Sequence, residues 1–276
     1  MPKSPVQMKV RVLPLTGAKL SAPLDLSRRG MPALDSIHNV VKFKGFKIVK
    51  STEIDSYEES PSARALQKAL MGRQPSGAAL MKAMKKAAPK GDNFGGTQRK
   101  AAKISIAKGR SKTFKTISTL IASLPTDDKM IKRKPKISRG ANSVRVPEEM
   151  RNVGVSAFLY AASREDDNDF HLIIGGDPQG TPEMYLTVEV SGLPPKTSPA
   201  FAKLNTARNA YKKFFGTNLP GMTYDFYSPP IPVKVKGSLF FDAGHATGSR
   251  PGPASLKSRM PTVWELHPIT SIELGP

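Results

Sequence analysis

The 276-residue sequence contains no cysteine. Disulfides, thiolate metal sites and cysteine nucleophiles are therefore excluded, and a reducing compartment is expected. No apolar run approaches the roughly 18 residues that a membrane span needs, and the first residues lack the apolar block of a secretory signal. These absences predict a cytoplasmic protein without a membrane span.

Acidic residues are scarce in the first half of the chain. The sequence has 43 Lys and Arg against 22 Asp and Glu, a formal net charge of +21. Residues 1–150 hold 31 of the basic and 11 of the acidic residues, whereas residues 151–276 hold 12 and 11. This asymmetry predicts physically different segments. We expect a small β-rich segment at 1–58, a basic, helical or partly disordered segment at 59–145 and a mainly β domain at 146–276.

The basic half contains short strand-like and helix-like patterns. Residues 8–15 and 39–50 read as strands, and the second of them loses its alternation of apolar and polar residues at Gly45. A slip at glycine favours a bulge or a bend. These strands could form a small β-unit or pair with the sheet of the C-terminal half. Helices are predicted over 60–72, 76–88 and 111–124, although the composition of the third suits a strand equally well.

Residues 61–145 hold 21 Lys and Arg but only three acidic residues. Because Lys and Arg release condensed counterions from phosphates, such a segment is expected to bind nucleic acid with little sequence preference and strong salt dependence. The alternatives are a solvated, partly disordered linker and a surface for anionic lipid, which needs bulkier anchors than the Ala and Met found here. The residues predicted to contact phosphate are Lys82, Lys85, Lys86, Arg99, Lys100, Lys132, Arg133, Lys134, Lys136 and Arg139.

From residue 152 the pattern changes to successive strands. A helix is predicted over 198–216, with Ser198 as its cap and Gly216 at its end. The order strand, strand, strand, helix, strand, strand is that of an OB-fold, and an open antiparallel sheet with one covering helix is the alternative. The predicted fold class is therefore mainly β, an OB-fold-like five-stranded barrel with one helix, preceded by a basic half of short strands and helices. The predicted strands are 152–162, 169–176, 183–192, 231–244 and 262–274.

Three motifs stand out in this half: EDDNDFHLII at 165–174, GSLFFDAGH at 237–245 and WELHPI at 264–269. Together they resemble a group of uncharacterised bacterial proteins with an OB-like β-barrel. In that group an acidic-x-Asp-x-His strand is followed by a Gly-x-x-Phe-Phe-Asp segment and a closing Glu-Leu-His-Pro strand. The resemblance covers roughly residues 152–274 and supports the boundary before them, but it implies no substrate, cofactor or activity.

Three of the four histidines lie in these motifs, each near a carboxylate. Side chains two residues apart on a strand share a face, which places Asp169 beside His171. Imidazoles and carboxylates bind zinc or another divalent metal, whose bound water can serve hydrolysis. The acidic turn with Glu165, Asp166, Asp167 and Asp169 could bind a hard cation. Each feature also has a structural explanation, such as a histidine that fixes a hairpin or an aspartate that caps a turn. The predicted metal ligands are His171, Asp242, His245, Glu265 and His267.

The loop between the last two predicted strands is rich in Gly, Pro and basic residues. In an OB-fold this loop often contacts single-stranded nucleic acid, which adds Arg250, Lys257 and Arg259 to the predicted phosphate contacts. The sequence thus favours a non-enzymatic nucleic-acid-binding protein with an OB-like platform for a nucleic-acid strand or a protein partner. One alternative is a metal-dependent hydrolase or nuclease that uses the His, Asp and Glu residues. The other is a structural or assembly protein of a phage or large complex.

Overall fold

The computed structural model describes residues 40–51, 53–54, 91–179, 184–247 and 250–275. Within these ranges the fold is mainly β, as predicted, with eight strands in one mixed sheet and four α-helices. None of the described helices has the length and apolar character that crossing a bilayer requires. The predicted strand 8–15, the predicted helices 60–72 and 76–88, and Lys82, Lys85 and Lys86 lie outside the described residues.

The strands are β1 (Val40–Phe43), β2 (Phe46–Lys50), β3 (Ser111–Phe114), β4 (Asn152–Arg164), β5 (Phe170–Gly175), β6 (Tyr185–Val190), β7 (Asp225–Phe241) and β8 (Trp264–Leu274). The helices are α1 (Lys100–Lys103), α2 (Ile117–Ala122), α3 (Asp127–Ile131) and α4 (Phe201–Phe215). Short 3-10 turns lie at Pro147–Glu149, Gly216–Asn218, His245–Thr247 and Lys257–Arg259.

Five of the strands form a ring. The strand order in the sheet is β1-β2-β7-β8-β6-β5-β4-β3, and an additional pairing of β4 with β7 joins β4, β5, β6, β8 and β7. Within the ring β6 and β8 are parallel, and the other neighbours are antiparallel. The predicted order of elements over 152–274 is therefore observed. The predicted count of five strands is not, because the sheet continues past β7 into β2 and past β4 into β3, and the ring is not a clear barrel.

The strands β1, β2 and β3 come from the basic half. Strand β2 pairs with β7, and β3 pairs with β4, so strands from both sides of residue 146 belong to one sheet. The bulge or bend predicted at Gly45 is a two-residue hairpin turn, in which Lys44 and Gly45 have φ angles of 46° and 83°, as a type I′ turn requires. The predicted element 111–124 divides into β3 and α2, because the Thr116 side chain caps the helix by accepting a hydrogen bond from the Thr119 backbone.

The hydrophobic core lies inside the ring. Leu172 of β5, Val188 of β6 and Leu266 of β8 are buried there, and α4 packs Tyr211 and Phe215 against it. Since side chains on a strand alternate between faces, the sequence neighbours of these core residues point to the outer face of the ring. That alternation positions the polar residues described next.

Candidate metal centre

A cluster of carboxylates and histidines lies on the outer face of β5, β6 and β8. His171 on β5 lies directly opposite Glu189 on β6, and Glu265 on β8 pairs with Thr187, two residues before Glu189. The strand register therefore brings these groups to one face. His267, two residues after Glu265, shares that face. The set, called the outer-face cluster below, consists of Glu165, Asp169, His171, Glu189, Glu265 and His267.

The segment that precedes β4, residues 91–149 and called the covering segment below, covers this cluster. Its Phe94 donates a backbone hydrogen bond to Leu193, at 2.9 Å, just beyond the end of β6. Arg145 donates to the main-chain oxygen of His267 at 2.6 Å and to that of Ala102 at 2.9 Å, which ties α1 to β8. As a result the side chain of His267 is fully buried, although it stands on the outside of the ring.

Glu165, His171 and Glu189 form the first group of convergent ligand atoms. The Nδ1 atom of His171 lies 2.8 Å from Glu165 Oε1 and 3.0 Å from Glu189 Oε1. Metal–ligand bonds of about 2.1 Å place neighbouring ligand atoms roughly 3.0 to 3.4 Å apart in octahedral or tetrahedral sites. The observed spacing is close to these values, so a single ion could contact all three side chains.

Asp169, Glu189 and His267 form the second group. The Nε2 atom of His267 lies 3.2 Å from Asp169 Oδ2, and its Nδ1 atom lies 3.4 Å from Glu265 Oε2. One ligand atom from each of the three group members lies within 4.8 Å of the other two. The two groups therefore share Glu189 and differ in their other members.

The ligand atoms of the cluster lack hydrogen-bond partners. Among the described residues, neither ring nitrogen of His171 or His267 has a hydrogen bond, and neither do Asp169 Oδ2, Glu189 Oε2 and Glu265 Oε2. The nitrogen and oxygen atoms nevertheless lie close together, with His171 next to Glu165 and Glu189 and with His267 next to Asp169 and Glu265. Leaving a buried polar group without a partner costs about 1–3 kcal/mol, and more when the group is charged. Polar atoms that converge without bonding to one another have the arrangement of ligands around a cation.

The protonation equilibria of the cluster are strongly perturbed. Burial, followed by the charge of Glu189, raises the pKa of Glu165 to about 8. Burial would lower the pKa of His171, but the charges of Glu165 and Glu189 outweigh it and raise this pKa well above its ordinary value. Burial lowers the pKa of His267 to about 3, so this ring is neutral and suited to metal ligation. A bound cation would replace protons on the carboxyl groups and the His171 ring.

Two of the predicted ligands lie apart from both groups. His245 Nδ1 lies 2.5 Å from Asp242 Oδ2, and Asp242 Oδ1 accepts backbone hydrogen bonds from Gly244 and His245. This is the geometry of a turn cap, the structural explanation that the sequence also allowed. The predicted ligands that the structure brings together are His171, Glu265 and His267.

Glu189 is absent from the ligands predicted from the sequence. The sequence feature that could have identified it is a glutamate inside the apolar run YLTVEV of β6, because an ionisable side chain seldom lies in a buried strand without a partner. Glu165 and Asp169 were expected at or beside a cation-binding acidic turn, and the structure places them next to the histidines instead of in a separate site. The contribution of the acidic turn to the histidine site depends on the strand register, which spacing alone does not give.

The predicted phosphate-contacting residues among the described residues differ in their exposure to solvent. Arg99 is only 1% exposed and donates to both carboxylate oxygens of Glu149 at 2.7 Å, so its guanidinium does not face solvent, and its contact with phosphate stays a prediction. Arg133 and Arg250 form ion pairs with acidic residues. Arg133, Arg250, Lys257 and Arg259 are half-buried. The exposed members are Lys100, Lys132, Lys134, Lys136 and Arg139.

Comparisons with known proteins do not indicate a function for this chain. The chain matches no known protein family, no curated protein and no solved structure. The resemblance of its three motifs to uncharacterised bacterial proteins therefore stays a prediction, and the function is argued from the chain's own residues.

Proposed function

We propose that this protein binds a divalent metal ion at the outer-face cluster and uses it for hydrolysis. The observation that carries the proposal is the convergence of buried imidazole and carboxylate atoms that have no hydrogen-bond partners among the described residues. A mixed set of nitrogen and oxygen ligands suits Zn²⁺ and Mn²⁺. Such an ion lowers the pKa of a coordinated water and polarises a carbonyl or phosphoryl oxygen, which makes hydrolysis the reaction class.

The approach for a substrate lies on the side of Glu165. The side chain of Glu165 is 15% exposed, whereas those of the other members of the cluster are at most 4% exposed. Nearby, Lys103 Nζ lies 3.2 Å from Asp167 Oδ2, and both side chains are 16% exposed. A catalytic metal needs a position that protein ligands leave free. We place that position at this rim, where the Lys103 ammonium group is suited to stabilise an anionic substrate.

Metal retention tests the proposal. Full-length protein dialysed against metal-free buffer should retain Zn²⁺ or Mn²⁺, and His267→Ala should lose it while circular dichroism verifies that the variant is folded. Glu273→Gln is the matched control, because this carboxylate is on the same strand but is 73% exposed. Wild-type protein that carries no metal, and whose thermal midpoint neither Zn²⁺ nor Mn²⁺ raises, would overturn the proposal without reference to any variant.

A second proposal is sequence-independent binding of nucleic acid. It is favoured by the exposed residues Lys132, Lys134 and Lys136 after α3, in a run of sequence without acidic residues from 129 to 139. If each contacts one phosphate, replacing all three with Gln should reduce the slope of log K against log salt by about 2.7 for duplex DNA. Lys203→Gln on the exposed face of α4 is the control. Full-length protein that fails to bind DNA and RNA at low ionic strength, or that binds independently of salt, would contradict this proposal.

The five-stranded ring is also proposed to be an OB-like barrel. Its support is the order of its strands, the pairing of β4 with β7 that joins the first and fourth of them, and the helix α4 between the third and fourth. An experimental structure with an open edge between β4 and β7 would contradict it. An assembly role, a protein partner and a cytoplasmic location stay predictions.

A further inference from the structure

Glu189 is the residue common to the two groups of convergent ligands. Its Oε1 atom lies 3.0 Å from His171 Nδ1 in the first group. Its Oε2 atom is buried and has no hydrogen-bond partner among the described residues, and the side chain is also a member of the second group, with Asp169 and His267. A carboxylate has two oxygens, each of which can bind a different ion.

The remaining members of the two groups do not overlap. Glu165 and His171 belong only to the first group, and Asp169 and His267 only to the second. Each group thus has its own imidazole and its own carboxylate besides the shared Glu189. Paired metal ions in hydrolytic enzymes lie about 3.5–4 Å apart, a separation that one bridging carboxylate spans.

The charge of the cluster fits two ions better than one. The four carboxylates of the outer-face cluster carry four negative charges when ionised, and they are buried or nearly so. Lys103 pairs with Asp167 at the rim, and its charge also acts on the carboxylates of the cluster. One divalent ion would leave two carboxyl groups of the cluster to be neutralised by protons, whereas two divalent ions neutralise all four.

We infer that the outer-face cluster is a two-metal centre, in which the Glu189 carboxylate bridges two divalent ions. One ion is held by Glu165 and His171, and the other by Asp169 and His267, with Glu265 beside the second. This inference rests on the proposed metal function and adds the second ion and the bridge.

Manganese loading of the full-length protein tests the inference. After treatment with a chelator and gel filtration, the protein is titrated with Mn²⁺, and bound metal is measured by mass spectrometry. Wild-type protein should bind two ions per chain. Its electron paramagnetic resonance spectrum should change from that of isolated Mn²⁺ to that of a spin-coupled pair as the second ion binds, and this readout needs no variant.

Two variants assign the ions to their groups. Glu165→Gln should retain one ion with the spectrum of isolated Mn²⁺, and Asp169→Asn should do the same, because each removes a ligand of one group only. Glu189→Gln should abolish the coupled signal even where two ions remain bound. Glu273→Gln is the control and should retain both ions and the coupled spectrum.

The outcomes separate this inference from the proposed function. No bound metal in wild-type protein would overturn both. One ion per chain at saturation, or two ions without spin coupling, would overturn the two-metal centre and leave a metal site in place. Two coupled ions that persist in both Glu165→Gln and Asp169→Asn would also overturn the inference, because the pair would then lie elsewhere in the chain.

Discussion

The Arg99 side chain joins two parts of the covering segment, at Glu149 and Val144, and also contacts the ring at Phe241. Its Nη1 atom donates to Glu149 Oε1 at 2.7 Å and to the Phe241 carbonyl at 3.2 Å, and its Nη2 atom donates to Glu149 Oε2 at 2.7 Å and to the Val144 carbonyl at 3.1 Å. The guanidinium also lies 4.5 Å from the ring centroid of Phe240. We predict that Arg99→Ala strongly destabilises the fold.

The size of this effect follows from the burial of the pair. Glu149 is 0% exposed, so Arg99→Ala leaves a buried carboxylate without its cation. Breaking a buried ion pair by removing one partner costs about 3–5 kcal/mol. For a domain of this size each kcal/mol lowers the thermal midpoint by about 2–4 °C, so we expect a decrease of roughly 10 °C. The double variant Arg99→Met with Glu149→Gln should recover part of the loss, because it leaves no buried charge.

Urea and thermal unfolding of the full-length protein measure the effect. Arg110→Ala is the control, since this arginine of the same segment is exposed and surface substitutions usually change the free energy of unfolding by less than about 0.5 kcal/mol. A loss below about 1 kcal/mol for Arg99→Ala would refute the reasoning from a buried pair. A stable Arg99→Ala variant with weakened nucleic-acid binding would support the role predicted from the sequence.

Three further predictions concern other parts of the fold. Chelation should lower the free energy of unfolding by about 2.7 kcal/mol relative to protein in free metal at 100 times the Kd, and calorimetry that detects no difference would count against a metal centre. Gly109→Ala should lower the free energy of unfolding by about 1–3 kcal/mol, because the added Cβ would clash with the Met150 carbonyl. Gly176→Ala is the control, since a Cβ at Gly176 meets nothing within 4 Å. Equal denaturation midpoints for the two variants would contradict the close approach at Gly109. Asp225 pairs with Lys50 at 2.6 Å, but burial raises its pKa from 3.8 to about 6. A raised acid pKa stabilises the protein at low pH, and this contribution is lost as the pH rises through 6, so wild-type protein should lose on the order of 1 kcal/mol more than Asp225→Asn between pH 5 and 7.5. Urea unfolding at the two pH values checks this, and parallel losses would contradict the raised pKa.

Local sequence patterns predict the elements of the C-terminal half well but do not predict their partners. Alternation located the strands over 152–274, and the apolar stripe with Gly216 at its end located α4. The same alternation marked 39–50 as extended, yet a slip at glycine is compatible with a bulge and with a turn, and only strand pairing distinguishes the two. The contact of β2 with β7 joins residues about 175 positions apart, for which no local pattern exists.

The candidate site was predictable to the extent that it depends on alternation. His171 and His267 were identified because each has a carboxylate two residues before it in the sequence, and Glu265 is the carboxylate before His267. Glu189 completes the site only through its register with His171, and an isolated glutamate has no spacing motif. Arg99 shows a different limit of sequence patterns, because a count of basic residues cannot distinguish an exposed cation from one that is buried against a carboxylate.

The covering segment also has a consequence for the rate at which metal enters and leaves. Arg145 binds the main chain at His267, and the segment closes over ligands that are otherwise on the outside of the ring. In the proposed metal centre, ions and substrate would reach the cluster through the rim at Glu165, and local opening of residues 91–149 would give a second route. Bound ions would exchange more slowly than ions at an open surface site, because only the Glu165 side of the cluster is exposed.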